Sequence, residues 1–143
     1  MTNYLKDKVV IVTGAAAGFG DILSRKISAM SAKIVAGDID QKGLTKITED
    51  VRDRGGEIIG VATDVTDRNQ MRRLAEEAVK EFNAIDILIN NAGIMPLAFY
   101  SDHQNAEDSW ERCIDINIKG VLNGITSVHD QMIKQGEGHI VNL

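Results

Sequence analysis

The run Thr13-Gly14-Ala15-Ala16-Ala17-Gly18-Phe19-Gly20 follows directly on a short apolar segment. Gly14 permits a tight turn out of an extended chain. Gly18 and Gly20 keep side chains out of the space where a diphosphate approaches backbone and where a helix meets a strand. Ala16, Ala17 and Phe19 complete the candidate loop. A helix starting there would present unpaired N–H groups and partial positive charge to phosphate. Asp38 stands 18 residues beyond Gly20, with Ile39 next to it. That is near the ~20-residue offset of an acid that hydrogen-bonds the ribose of a dinucleotide. A carboxylate there repels a 2′-phosphate, since two unit charges ~4 Å apart cost about 4 kcal/mol at an effective dielectric of ~20. Ala17 brings no cation to offset this, although Lys42 is near enough to soften it. The expected cofactor is NAD, with NADP disfavoured. Taken alone, the glycines could form a turn that binds nothing, and Asp38 or Asp40 could simply cap a helix.

These groups need elements to hold them. Residues 8–13 (KVVIVT) form a continuous β-branched apolar run, the pattern of a strand buried on both faces. Residues 18–30 carry Phe19, Ile22, Leu23, Ile27 and Met30 at the spacing of one helix face. Residues 33–38 read as a second strand. Leu44, Ile47 and Val51 mark a second helix, ended by Gly55-Gly56. Residues 57–64 read as a third strand. Thr66 is placed to cap the next helix, with Asp67 in its first turn and a stripe of Met71, Leu74, Ala75, Ala78, Val79 and Phe82. Residues 85–90 read as a fourth strand, and 94–105, with Pro96, as irregular. Ile114, Ile118, Val121, Leu122, Ile125, Val128 and Met132 line one side of a long helical region closed by Gly136 and Gly138. Residues 139–143 begin a fifth strand. Such alternation predicts an α/β fold, a doubly wound parallel sheet with helices on both faces. The strand order 3-2-1-4-5 is favoured, and the flavodoxin-like order 2-1-3-4-5 fits the same pattern.

Composition narrows the function classes. The chain has 143 residues, 43% hydrophobic and 26% charged, as in an ordinary soluble globular domain. No apolar run approaches the ~18 residues of a membrane helix, so no membrane partner is expected. A net charge of −5 disfavours nucleic-acid binding. The single cysteine, Cys113, excludes an internal disulfide, reads as a core residue and fits a reducing compartment, the cytoplasm. His103, His129 and His139, expected on a loop, a helix and a strand start, are joined by no ligand motif, so no metal is expected.

Further residues resemble the short-chain dehydrogenase/reductase family over the whole chain. Asp64-Val65 follows the third strand, where that family sets an acid against the adenine ring. Asn90-Asn91-Ala92-Gly93 resembles its Asn-Asn-Ala-Gly signature, whose backbone passes under the cofactor and whose asparagine ties neighbouring strands. Asn117, in Asp115-Ile116-Asn117-Ile118-Lys119-Gly120, is similar to the helix asparagine of its Asn-Ser-Tyr-Lys tetrad, and 139–143 (HIVNL) to the strand leading to the catalytic serine. With these signatures the order 3-2-1-4-5 is preferred. The resemblance implies hydride transfer between a nicotinamide and a secondary alcohol or ketone. A tyrosine moves the proton, a lysine lowers the tyrosine pKa, a serine positions the oxygen, and the asparagine carbonyl holds a water. It also implies a homo-oligomer, with the long helix as one contact face.

The serine and the Tyr-x-x-x-Lys pair would fall beyond Leu143. Tyr4 and Lys8 have the right spacing, but they precede the first strand, whereas open α/β sheets bind ligands at the carboxyl ends of strands. Ser101 and Ser127 have the wrong context, while Phe99 and Tyr100 could line a substrate pocket or pack their own loop. Residues 1–143 are therefore expected to be an incomplete dinucleotide-binding domain, inactive alone. The alternative is a non-catalytic NAD(H)-binding module or sensor, and a third possibility is a subunit serving only assembly.

Overall fold

A computed structural model describes residues 3–97 and 99–143. Met1, Thr2 and Ala98, part of the expected domain 1–143, lie outside the described residues. Five parallel strands form one sheet: β1 (Val9–Thr13), β2 (Lys33–Asp38), β3 (Glu57–Ala62), β4 (Ile87–Asn90) and β5 (His139–Asn142), in the order β3-β2-β1-β4-β5. This is the expected 3-2-1-4-5 arrangement. β1 and β4 are buried at every position, as their unbroken apolar sequences require. Alternation along β1 divides the core. Val10 and Val12 face α1 (Gly18–Ser28) and α2 (Gln41–Asp53), with Leu44, Ile47 and Val51 closing that layer. Val9 and Ile11 face α3 (Arg68–Phe82) and α5 (Gly120–Gln135), with Met71, Leu74, Val128 and Met132 on the other side. The register pairs Val10 with both Ile34 and Ile87, so Thr13, Asp38 and Asn90 end their strands on one edge of the sheet.

The expected helix faces need correction in three places. Along α1 the buried residues are Gly20, Ser24, Ile27 and Ser28, while Phe19, Ile22 and Met30 are exposed. Small residues at positions 20 and 24 let the helix approach the sheet, and Ser24 returns its hydroxyl to the Gly20 carbonyl at 2.7 Å. The cap of α3 is Asp67 rather than Thr66. Its carboxylate accepts the N–H groups of Asn69 and Gln70. Hydrogen bonds from the Gln70 backbone and side chain and from the Asn69 backbone hold that carboxyl below the usual range. The long helical region begins earlier than expected, with α4 (His103–Ile114) inside the stretch read as irregular. It joins α5 through a π-helical turn, Asp115–Lys119, in which the Gly120 N–H reaches back to Asp115. Of its predicted stripe Val128 and Met132 are buried, while Ile114, Ile118 and Leu122 face solvent. The i→i+5 bond of the π turn widens it relative to an α turn and rotates the stripe off the core, so one periodicity does not run through both helices.

The opposite edge of the sheet is clipped by Lys8. Its ammonium meets Asp86 at 2.9 Å and Glu137 at 2.8 Å, and Asp86 also accepts the Val9 N–H. The bonds to Glu137, then to Asp86, raise the Lys8 pKa above the ordinary lysine value. A raised lysine pKa adds stability that is complete below the unfolded-state value of about 10.4 and is lost as pH climbs through the folded value. Urea denaturation between pH 8 and 12 should show wild type losing stability above about pH 10.4 relative to Lys8→Met, with the two curves converging at high pH. Parallel curves would show that the clip contributes nothing. Tyr4 and Lys8 thus sit at the edge away from the glycine bend, and Lys8 is already engaged.

Candidate functional site

Thr13 ends β1 fully buried and organises the sheet edge. Its Oγ1 accepts the N–H groups of Asn91 and Ala92, both at 3.1 Å. Asn91 answers with Nδ2, donating to the carbonyls of Thr13 (2.9 Å) and Gly14 (3.1 Å). Asn90 turns the other way and donates to Asn142 on β5 at 2.9 Å. The two asparagines therefore tie β4 to both neighbours. Thr13→Val would leave two half-buried N–H groups without an acceptor, which costs about 1–3 kcal/mol in a denaturation experiment. A loss below about 0.5 kcal/mol would contradict the hub role.

The bend itself follows from its glycines. Gly14 has φ +65°, and a Cβ there would lie 2.8 Å from the Ala92 Cα. Gly20 packs so closely on Gly14 that a Cβ would collide with the Gly14 carbonyl oxygen. Gly18 differs: its φ is +55°, and nothing lies within 4 Å of where a Cβ would be. Ala17 is the extended N-cap of α1 and offers no side-chain cap. The first helical bond runs from Asp21 N–H to the Ala17 carbonyl. The N–H groups of Gly18, Phe19 and Gly20 therefore have no partner among the described residues.

Gly18 and Phe19 line a cavity of about 670 Å³. Its walls bring together most of the sequence-predicted residues: Gly14, Ala17, Gly18, Phe19, Asp38, Ile39, Asp64, Val65, Asn91, Ala92 and Gly93. Ala16 and Gly20 lie behind this wall. Ala16 gives its N–H to Asp38, and Gly20 supports Gly14. Asp40, not Asp38, caps α2, by accepting the Lys42 N–H. Asp64 accepts both the N–H and the hydroxyl of Thr66 on Oδ1, so its bonds among the described residues leave Oδ2 free. Asn117 stands apart from the wall. Its amide brackets Ile94, accepting the Ile94 N–H at 2.9 Å and donating to the Ile94 carbonyl at 2.8 Å.

Some residues of the site carried no signal in the sequence. Asp108, Glu111, Arg112 and Asp115 of α4 and its π turn also line the cavity. With Asp38 and Asp64 they make five carboxylates against one guanidinium. An α-helix starting at His103 would have revealed them; Asp102 stands at its N-cap but makes no side-chain cap bond to the helix backbone. Cys113, expected in the core, is half-buried. Its Sγ lies 3.5 Å from the Ile94 carbonyl and 3.4 Å from Asn117 Nδ2. Tyr100 packs its ring against Trp110, 5.7 Å between centroids, and Phe99 is exposed. His103 opens α4 rather than lying in a loop, His129 pairs with Asp130, and His139 opens β5. Among the described residues no group of three His, Cys, Asp or Glu side chains could hold a metal, and no helix is long and apolar enough to cross a membrane.

A family model described as short chain dehydrogenase matches residues 8–143. The chain belongs to the short-chain dehydrogenase family. Within this oxidoreductase family it is 44% identical over 142 residues to an uncharacterized oxidoreductase of Staphylococcus saprophyticus, covering 99% of this chain and 56% of that protein. It is 35% identical over 139 residues to the 3-oxoacyl-[acyl-carrier-protein] reductase of Thermotoga maritima, covering 97% of this chain and 56% of the relative. The crystal structure of a short-chain dehydrogenase/reductase from Burkholderia phymatum in complex with NAD superposes with a TM-score of 0.92 at 33% identity, covering 99% of this chain and 50% of that one. The chain thus spans about half the length of the relatives it matches.

Proposed function

We propose that this short-chain dehydrogenase segment binds NAD and forms the cofactor half of an oxidoreductase acting on a secondary alcohol or ketone. The observation that carries this reading is the open space over Gly18, beside three unpartnered N–H groups and within one cavity with Asp38. The free N–H groups of α1 suit a diphosphate, and the Asp38 carboxylate suits ribose hydroxyls. Ile39 and Val65 supply apolar walls for an adenine, with Asp64 Oδ2 as an acceptor for its amino group. Ala92 and Gly93 pass beneath the nicotinamide side. When bound, the nicotinamide supplies or takes up a hydride. Asn117 contributes through its backbone carbonyl, because its side chain already holds Ile94. Activity as a whole enzyme needs the serine, tyrosine and lysine that the family resemblance places beyond Leu143.

Calorimetric titration with NADH tests the reading, with micromolar binding expected. A folded chain that produces no heat at millimolar NADH would contradict it. Turnover of secondary alcohols by a full-length form separates the enzyme from a non-catalytic NAD(H) module.

Partnership follows from the corrected stripe. Ile114, Ile118 and Leu122 are exposed on consecutive turns of the α4–α5 region and suit a second copy of the chain. Sedimentation equilibrium should show a dimer or higher oligomer that Ile118→Glu reduces to monomer. A monomer in the wild type at high micromolar concentration would remove this partnership. The free thiol of Cys113 fits the reducing cytoplasm.

A further inference from the structure

Both carboxylate oxygens of Asp38 already hold backbone. Oδ2 accepts the Ala16 N–H at 2.9 Å, and Oδ1 accepts the Asp40 N–H at 2.9 Å. Beside them Ala15 gives its N–H to the Gly37 carbonyl at 3.2 Å. The far side of Ala16 is closed by the first turn of α2. A Cβ on Gly43 would lie 2.7 Å from the Ala16 Cβ and 3.1 Å from its carbonyl oxygen. Ala16 is therefore clamped between a carboxylate and a helix, one residue before the extended cap that opens α1.

We propose that Asp38 latches the glycine bend, setting the direction of the N–H groups that receive a diphosphate, separately from any contact with ribose. The latch rests on the reading of the cavity as a dinucleotide site. It makes Asp38 a positioning residue for the bend that an uncharged amide cannot replace. Asparagine offers one acceptor oxygen and one NH2, so one of the two backbone N–H groups would face a donor. Removing the acid to admit NADP would then loosen the bend as well as the ribose contact.

Two ligands and two proteins separate the roles. Wild type and Asp38→Asn are each titrated with NADH and with an NADH analogue lacking both hydroxyls of the adenosine ribose. A carboxylate that served only those hydroxyls would leave the two proteins with equal affinity for the analogue. The latch predicts that Asp38→Asn binds the analogue about tenfold more weakly, the size of one lost charge-assisted hydrogen bond. Equal affinity would overturn it.

Amide hydrogen exchange without ligand gives an independent arm. The Ala16 amide should exchange on the order of tenfold faster in Asp38→Ala, which removes both acceptor oxygens, while Val10 and Leu88 keep their protection and report an intact sheet. Unchanged Ala16 exchange would also overturn the latch. If wild type binds neither ligand, the cofactor reading fails and the exchange result alone decides the latch. Should Asp38→Asn not fold, Asp38→Ser carries the same comparisons.

Discussion

NADPH is expected to bind this chain at least a hundredfold more weakly than NADH. The 2′-phosphate would enter next to Asp38 in a cavity that Asp64, Asp108, Glu111 and Asp115 also line, with Arg112 as its only lining cation among the described residues. One unit-charge repulsion at ~4 Å costs about 4 kcal/mol at an effective dielectric of ~20, and a phosphate dianion brings more than one charge. Screening by salt and the reach of Lys42 reduce this, and about 3 kcal/mol still corresponds to a hundredfold. Titrations with both cofactors at 20 and 500 mM salt should show the ratio falling as salt rises. Asp38→Ala should narrow it to less than about tenfold, by relieving the repulsion on the 2′-phosphate and by removing the ribose contact of NADH. Equal affinity of the wild type for the two cofactors would show that Asp38 does not meet the adenosine ribose.

Gly18→Val is expected to abolish NADH binding while leaving the fold in place. The position has room for a Cβ, so the sheet and α1 lose no packing. The cost to the protein is a left-handed backbone at a β-branched residue, about 1–2 kcal/mol, or a melting-temperature drop below about 10 °C. The cost to the ligand is larger, because the branched side chain fills the space in front of the free N–H groups of α1. A loss of at least about a hundredfold follows from displacing a diphosphate from two or three charge-assisted hydrogen bonds. Gly20→Ala reverses the pattern. Its Cβ would meet the Gly14 carbonyl and lie 2.7 Å from Asn91 Nδ2, so stability falls further than in Gly18→Val. Melting curves and NADH titrations on both variants give the contrast. A Gly18→Val protein that binds NADH as wild type does would remove the diphosphate from this bend.

The fold was legible because its strands carry their burial in their composition. Val9 to Val12 could be covered on both sides only in a parallel sheet between helices, and α2 and α3 place their apolar residues at one angular position. Legibility failed where packing overrode apolar periodicity. Phe19 and Ile22 are large apolar residues in the first half of α1 and stay exposed, yet α1 buries Gly20 and Ser24, whose small size permits close approach. The π turn shifts Ile118 and Leu122 off the core without any proline to announce it. Within the site, the glycines of the bend and Asp38 could be placed by spacing, and Asp64 and the Asn-Asn-Ala-Gly run by resemblance to the family. Thr13, Gly43 and the acids of α4 could not, because their roles depend on contacts between residues far apart in the sequence.

In the proposed complex a dinucleotide lies across the bend at residues 14–20 with its ribose on Asp38. A 1H–15N correlation titration of the folded chain with NADH reads this residue by residue. The account predicts saturable shifts at the amides of Gly18, Phe19, Gly20, Ile39 and Gly93, with those of Lys8, Glu57 and Glu137 at the opposite edge unmoved. Shifts confined to the opposite edge, or none at millimolar NADH in a spectrum that is dispersed and folded, would contradict it.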